Sequence, residues 1–308
     1  MKIIKKYSLM NVVVVSLVLG QSALIKAAPT NVNLGSSAPF AILAGTPGIT
    51  DSGNTSVISG NVGLSPATGA GIGLLCSQVT GTIYSVDSTG PLPCRVTNGP
   101  LLVTAKNDLT AAYIDAAGRT PVTTVPTELG GTTKTAGVYD SASTAFGITA
   151  GAGPLVLDGQ GDSSAVFIFQ ANAAAPGLTI GSGSTVSLIN GAQACNVFWR
   201  VDTATISTTA VFKGNVLALN SITVANGANI EGRLLARNGS VTLINDTITV
   251  PTCAATATSS GSTSVVPKLP NAGISPESKS STHWNIVAPT GFIVILFGLY
   301  LARIKRVN

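Results

Sequence analysis

Short threonine-centred triplets recur in the second half of the chain. In each triplet one threonine stands between two apolar or small residues, as in Leu178-Thr179-Ile180. Side chains alternate between the two faces of a β-strand, so the flanking residues would enter a core and the threonine would face solvent. Stacked strands would then align the threonines as one uncharged array of hydroxyl and methyl groups, which favours a binding face over a catalytic pocket. The five threonines are Thr149, Thr179, Thr205, Thr223 and Thr242.

The residue types that perform most catalysis do not form a recognisable set in this sequence. The single histidine, His283, lies in the C-terminal tail, which excludes a Ser-His-Asp arrangement from the central part of the chain. Asp158 and Asp162 flank a Gly-Gln-Gly turn, and we interpret them as solvated turn residues rather than a hydrolytic carboxylate pair. The glycine-rich residues 69–73 lack the following Lys and Ser or Thr of a phosphate loop. The sequence therefore predicts no enzyme.

The four cysteines predict two disulfide bonds. They follow a segment typical of export, and an even number of cysteines in an exported chain favours disulfides. Of the three possible pairings we favour Cys76 with Cys94, which would staple a loop-rich segment, and Cys195 with Cys253, which would tie the last coil to an earlier one. The sequence contains no Cys-x-x-Cys motif, so we expect no metal site and no other cofactor.

The net charge of +5 originates at the two ends of the chain. Residues 28–272 carry 9 basic and 11 acidic residues, which leaves them with a charge near −2. Charged residues make up 9% of the chain, against about 25% in ordinary globular proteins. The sequence shows neither a basic patch nor an aromatic stacking platform, so we expect no nucleic acid partner.

The N-terminal residues 1–27 predict a secretory signal peptide. Three lysines precede the apolar residues 12–19, and a site of small residues follows, with Ala27 as the last residue removed. An uncleaved membrane anchor is the alternative. Removal of the signal peptide would place the mature chain outside the cell.

The C-terminal part of the sequence has several pieces. Residues 254–268 are rich in Ala, Ser and Thr and predict a flexible linker. Residues 269–308 contain a pentapeptide, the apolar residues 286–302 and a basic tail. Residues 286–302 are almost wholly apolar, and seventeen residues just suffice to cross a membrane; the basic tail predicts a cytoplasmic end. The pentapeptide is Leu269, Pro270, Asn271, Ala272 and Gly273.

This C-terminal arrangement resembles the cell-wall sorting signal of Gram-positive-type bacteria, in which a sortase cuts an LPxTG pentapeptide. Ala272 stands where that signal has threonine. The resemblance implies a protein anchored at the cell surface, through the cell membrane by its C-terminal helix or through the cell wall by a sortase.

Between these two ends, residues 28–253 predict a mostly β domain with one long α-helix. Asn98 or Thr104 would begin the helix, and Gly118 would end it. Small and apolar residues within it recur at steps of three and four, which predicts one buried stripe. The stripe consists of Ala105, Leu109, Ala112, Tyr113 and Ala116.

The chain repeats itself in its β-rich second half. Residues 212–220 match residues 230–238 at a shift of 18, and residues 196–199 match residues 215–218 at a shift of 19. A fixed repeat of this length is typical of a solenoid, in which each turn buries its inner face against its neighbours. The period suits about three short strands per turn.

Six segments resemble the microbial ice-binding protein family. They are DLTAAY (108–113), GVY (137–139), AVFIFQ (165–170), INGAQACNVFW (189–199), GNVLA (214–218) and LARNG (235–239). The similarity runs in order from about residue 33 to residue 253. It implies a right-handed, discontinuous β-solenoid with a long helix packed alongside, and a flat face that binds ice in characterised members.

Ice binding is consistent with the threonine array. Charged side chains hold water strongly and irregularly, whereas hydroxyl and methyl groups spaced about 4.8 Å apart can order water into a lattice compatible with ice. The sequence therefore predicts a secreted, surface-tethered, antifreeze-type protein whose partner is the ice crystal surface. The alternatives are a cell-surface adhesin for glycan or protein, and a structural envelope domain. Threonine is also a good strand former, so an ordinary solvent face remains a third interpretation of the array.

Overall fold

The computed structural model describes residues 28–171 and 177–253. Within these residues the chain forms 23 β-strands and one α-helix. The predicted signal peptide, linker, sorting pentapeptide and membrane segment lie outside the described residues. No helix within the described ranges is both long enough and apolar enough to cross a membrane.

Eight of the described strands precede the helix. They are β1 (Phe40–Ala44), β2 (Ile49–Asp51), β3 (Val57–Ser59), β4 (Asn61–Leu64), β5 (Ile72–Gly73), β6 (Val79–Thr80), β7 (Ile83–Ser85) and β8 (Arg95–Thr97). The helix α1 spans Gly99–Gly118.

Fifteen described strands follow α1. They are β9 (Val122–Val125), β10 (Thr133–Thr135), β11 (Gly137–Ser141), β12 (Phe146–Ile148), β13 (Leu155–Asp158), β14 (Phe167–Gln170), β15 (Leu178–Ile180), β16 (Val186–Ile189), β17 (Val197–Val201), β18 (Ala204–Ile206), β19 (Val211–Ala218), β20 (Ile222–Val224), β21 (Asn229–Ala236), β22 (Val241–Leu243) and β23 (Thr247–Thr249).

The start of α1 is fixed by a side-chain cap. Asn98 Oδ1 accepts a hydrogen bond from the backbone N–H of Leu101 at 3.1 Å, and Pro100 stands in the first turn, where its missing N–H has no helical partner to lose. Of the two predicted starts, Asn98 is therefore correct. The predicted stripe is buried, together with Leu102.

The described strands pair in parallel and form three sheets. The seven-stranded sheet has the order β12-β15-β18-β20-β22-β2-β5, and the three-stranded sheet the order β10-β13-β16. The 13-stranded sheet runs β8-β7-β4-β1-β21-β19-β17-β14-β11-β9, with β23, β3 and β6 joined to β21 on a side path.

The spatial order of the strands is discontinuous in sequence. In the 13-stranded sheet β1 lies between β4 and β21, and in the seven-stranded sheet β2 lies between β5 and β22. The first strands of the chain therefore stack on the last ones. Such long-range pairing needs side-chain features that specify which strands meet, because no short turn does so.

The 13-stranded sheet is buried on both faces in its middle. Phe169 and Trp199 point into the space between the sheets and stack with their ring centroids 4.1 Å apart. Ile168 and Phe198 point to the other face, where they pack with the stripe of α1. Parallel strands covered on both faces read as continuous apolar runs, which accounts for the run of residues 165–169.

The predicted repeat is correct at one shift and wrong at the other. Residues 211–218 pair with residues 229–236, a shift of 18. β17 pairs with β19 so that Phe198 faces Asn215, a shift of 17 rather than 19. Gly214, with φ of 114°, bends β19 close to Trp199, whose indole N–H donates to the carbonyl of Lys213 at 3.1 Å. Position 214 has no room for a side chain beside Trp199 in this register.

Two disulfide bonds tie the described chain together. Cys76 bonds to Cys94 with a Cα–Cα distance of 5.5 Å, and Cys195 bonds to Cys253 at 5.8 Å. The first staples the loop-rich segment before β8. The second ties the end of the described chain to the turn before β17.

Candidate functional site

Four of the five predicted threonines form one column on the seven-stranded sheet. Thr179 pairs in register with Thr205, Thr205 with Thr223, and Thr223 with Thr242. Both neighbours of each threonine within its strand are buried. The first three threonines are exposed and Thr242 is half-buried. Period-two alternation thus places the hydroxyls outward, as the triplets predict.

A fifth threonine, Thr50 in β2, continues the column and is missed by the triplet pattern. It pairs with Thr242, and the two Oγ1 atoms are 3.4 Å apart. The sequence signal was present in Ile49-Thr50-Asp51, but the charged third residue breaks the apolar–Thr–apolar rule. We call Thr50, Thr179, Thr205, Thr223 and Thr242 the Thr column, and the outward surface of the seven-stranded sheet the Thr face.

Thr149 is not a member of the Thr column, which corrects the prediction. β12 ends at Ile148, and the residue that pairs with Thr179 is Gly147. Thr149 points to the same face as Gly147 but lies two positions after it in the chain. Its N–H lies 3.0 and 3.2 Å from the two carboxylate oxygens of Glu128, and its Oγ1 donates to the same group.

Glu128 brings a charged side chain to this end of the Thr face, where it forms an isolated β-bridge with Gly147. Burial acts to raise the pKa of its carboxyl, but the hydrogen bonds donated by Thr149 and Gly130 outweigh burial and lower it. Glu128 is therefore ionised at neutral pH and bound to Thr149. The Thr face ends here in a charge.

The residues beside the Thr column are small or uncharged. With strands about 4.8 Å apart, the five members span about 19 Å. Two positions before them lie Gly48, Gly177, Thr203, Ser221 and Ser240, and two positions after them lie Ser52, Gly181, Ser207, Ala225 and Ile244. These central positions of the Thr face therefore offer hydroxyl, methyl and backbone groups and carry no charge.

The turns that follow the Thr column are polar and partly linked to one another. Asn245 donates through Nδ2 to Asn226 Oδ1 at 2.7 Å, and the hydroxyl of Thr55 donates to Asn245 Oδ1. Ser182 and Thr208 are exposed in the equivalent turns. These side chains border the Thr face on one side.

The two other surfaces of the fold differ from the Thr face. α1 covers much of the 13-stranded sheet. The other surface comprises the three-stranded sheet, the first halves of β19 and β21, and the side path. It carries Lys134 and Asp158, and an ion pair in which Lys213 Nζ lies 2.7 Å from Glu231 Oε2. Of the three, the Thr face combines exposure with a regular uncharged array.

Asp158 and Asp162 form hydrogen bonds within turns. Asp158 Oδ1 accepts from the N–H of Gln160 at 2.8 Å and from Asn190 Nδ2 at 2.9 Å. Asp162 Oδ1 accepts from the N–H and hydroxyl of Ser164 at 2.8 and 2.6 Å. Among the described residues, no three His, Cys, Asp or Glu side chains gather where they could hold a metal ion.

Comparison with known proteins connects this arrangement to a family. Residues 42–249 match the family described as Ice-binding-like. The chain belongs to the ice-binding-like family. It is 42% identical to the ice-binding protein of Flavobacterium frigoris (strain PS1) over 224 residues, which cover 71% of this chain and 76% of the relative. It is also 42% identical to that of a Colwellia species, over 73% of this chain and 86% of the relative.

Solved structures agree with the family assignment. An ice-binding protein from an Antarctic biological consortium is 36% identical, with a TM-score of 0.63, and the match covers 74% of this chain and 94% of that one. A domain of an ice-binding protein of Shewanella frigidimarina is 31% identical, with a TM-score of 0.65, covering 73% and 100%. The ice-binding-like family is non-enzymatic in kind.

Proposed function

We propose that this protein binds ice through the Thr face. The observation that carries the proposal is the unbroken register of five outward threonines across neighbouring strands. Membership of the ice-binding-like family supports the same ligand, because the relatives from Flavobacterium frigoris and Colwellia are named ice-binding proteins.

The chemistry of the Thr face suits a crystalline ligand. A growing crystal presents the same pattern of water molecules over a wide area, so a binding surface needs repetition rather than depth. Each threonine contributes one hydroxyl for a water and one methyl that restricts where neighbouring waters lie. Many weak contacts to an immobile lattice then add, and no enclosed pocket is needed.

A regular coil would keep these groups in register. We propose that the three sheets are the faces of a right-handed, discontinuous β-solenoid with about three strands per turn and α1 alongside. Successive strands of the chain lie in the three sheets in turn, as in β13, β14 and β15, which supports this geometry. The parallel ladder then fixes the strand spacing and with it the threonine spacing.

We further propose that the protein is secreted and held at the cell surface. Ice-binding proteins are generally extracellular or secreted. The signal-like residues 1–27, two disulfides, and the apolar residues 286–302 with a basic end support this location. Protease treatment of intact cells should release a fragment that contains residues 28–253; retention of that fragment inside cells would contradict the location.

The decisive experiment for ice binding measures thermal hysteresis and recrystallisation inhibition on the full chain and on residues 28–253. Thr205→Tyr and Thr223→Tyr place a bulky ring in the Thr column and should abolish activity without unfolding the domain. Thr247→Tyr is the matched control, because Thr247 is an exposed strand threonine on the side path of the 13-stranded sheet. It should retain activity.

Two results would contradict this proposal. Absence of any ice activity at high protein concentration would exclude ice as the ligand and favour an adhesin or a structural envelope domain. Loss of activity in Thr247→Tyr, with activity kept in Thr205→Tyr, would move the site to the other face.

A further inference from the structure

The Thr column crosses a seam between the two parts of the chain. Thr242 belongs to the last part and Thr50 to the first, and 192 residues separate them. No short connection sets the position of β2 on β22. Backbone hydrogen bonds join β2 to β22, and side chains at the seam can select which residues those bonds pair.

Asp51 follows Thr50 in β2. It differs in polarity from the inward residues that follow the column position in the neighbouring strands of the seven-stranded sheet. Its side chain points inward and is only 6% exposed. The residues that follow the column position in β12, β15, β18, β20 and β22 are all buried and apolar. They are Ile148, Ile180, Ile206, Val224 and Leu243. A carboxyl group therefore replaces an aliphatic side chain at the seam.

Hydrogen bonds to Asp51 come from both sides of the seam. Oδ2 accepts from the N–H of Ser56 at 3.1 Å and from Nε2 of Gln78, which lies near the start of β6. Oδ1 accepts from the N–H of Asn245, after β22, at 3.4 Å. One carboxylate thus connects the turn after β22, its own turn and the next turn.

Ser56 and Asp246 reinforce the same junction. The N–H of Asp246 donates to Ser56 Oγ at 2.9 Å, and the N–H of Val57 donates to the carbonyl of Asp246 at 2.8 Å. Ser56 is 1% exposed, Gln78 5% and Asp246 1%. The network is enclosed, so losing its bonds would leave buried polar groups with fewer partners at a cost in free energy.

We infer that Asp51 is a positioning residue that sets Thr50 in register with Thr242 and so completes the Thr column. The inference rests on the proposed function. A slip of β2 by two residues would keep each side chain on its own face, yet it would separate the carboxylate from the N–H of Asn245 and Ser56 Oγ from the N–H of Asp246. An aliphatic residue at position 51 would tolerate such displacement, because apolar contacts have little directionality.

The test is a double-mutant cycle on the full chain, with uptake of protein into growing ice as the readout. Asp51→Val supplies the side-chain type of the other strands, and Thr50→Ala removes the hydroxyl that Asp51 positions. Asp51→Val should lower uptake severalfold when Thr50 is present and change it little in the Thr50→Ala background. Asp51→Asn should keep most of the activity, because its carbonyl oxygen can still accept from Ser56 and Gln78.

Leu243→Val is the matched control, since it trims the adjacent inward residue without touching the network. Its effect should be the same in both backgrounds. If Asp51→Val does not fold, Gln78→Met replaces it in the cycle, because it removes one donor to Asp51 and keeps side-chain bulk. Equal losses in the two backgrounds, or no loss, would overturn the positioning role.

The result for Thr205→Tyr separates the two proposals. Thr205 lies two strands from β22 and three from β2, away from the seam. If Thr205→Tyr retains full activity, the Thr face is not the ice site and the inference fails with it. If Thr205→Tyr is inactive but the cycle is additive, only the role of Asp51 is refuted.

Discussion

Gly147 pairs in register with Thr179 and occupies the position where the Thr column would carry a sixth threonine. A Cβ atom added at Gly147 would have one neighbour within 4 Å, the carbonyl oxygen of Thr179 at 3.7 Å, which is ordinary contact. The column therefore ends because a side chain is missing, not because space is lacking.

Gly147→Thr should extend the Thr column by one hydroxyl and one methyl group and raise thermal hysteresis above wild type. Gly147→Val is the matched control, since it has nearly the same shape without the hydroxyl. A larger gain for threonine than for valine would show that the hydroxyl contributes. A decrease with threonine, in a variant that unfolds at the wild-type temperature, would contradict a site that reaches β12.

A charge in the middle of the Thr face should separate ice activity from stability. Thr205 is exposed, so Thr205→Lys is expected to change the free energy of unfolding by no more than about 0.5 kcal/mol. Ice activity should fall strongly, because an ammonium group holds its own hydration shell. Thr249→Lys, on the other face beside Glu231, should leave both quantities unchanged. Urea unfolding and ice recrystallisation assays measure the two effects.

The sequence predicts which face of a strand each side chain points to better than it predicts which strands pair. Alternation within a triplet places Thr179, Thr205 and Thr223 outward correctly, because it depends only on local backbone geometry. Membership of the Thr column depends on which strand lies next to which. Thr149 therefore points outward as predicted but lies outside the Thr column. Gly147, which has no side chain and so gives no signal in the sequence, occupies the position next to Thr179.

Long-range pairing also explains why Thr50 is missed. Its strand reaches the Thr face only because the first part of the chain stacks on the last, and nothing in the local pattern of β2 states this. Asp51 looks like a turn residue in sequence, yet it is buried at the seam. The helix, by contrast, is predicted almost completely, since the Asn98 cap and the buried stripe are local signals.

The two disulfides should differ in their effect on stability. Loop-closure entropy predicts a loss of about 4 kcal/mol when the bond that closes the 58-residue separation, Cys195–Cys253, is replaced by two serines. The Cys76–Cys94 bond closes 18 residues and should cost about 3 kcal/mol. Neither bond touches the Thr column, so ice activity well below the unfolding temperature should persist in both variants. The opposite ranking in urea unfolding would contradict the loop-length argument.

The buried pair Asp51 and Asp246 should give folding stability a maximum in mildly acidic solution. Burial raises the pKa of Asp246 to about 6, and the nearby Asp51 adds to the rise, against the hydrogen bonds donated by Ile244 and Ala228. The stability linked to its protonated form is complete below 3.8 and lost as pH rises through about 6, by about 3 kcal/mol.

The pKa of Asp51 shifts in the opposite direction, so its contribution to stability depends on pH in the opposite sense. Burial opposes ionisation, but hydrogen bonds from Ser56 and Gln78 lower its pKa below 3.8, so its contribution is lost as pH falls through the lowered value. Residues 28–253 contain no histidine, so the decline on the alkaline side of the maximum belongs to Asp246. Urea unfolding across this pH range should show the decline in wild type and a flatter profile in Asp246→Asn. Asp162→Asn, at an exposed turn, should keep the wild-type decline toward pH 6, because the pKa of Asp162 is shifted down rather than up. A wild-type stability that rises through pH 6 would contradict the buried pair.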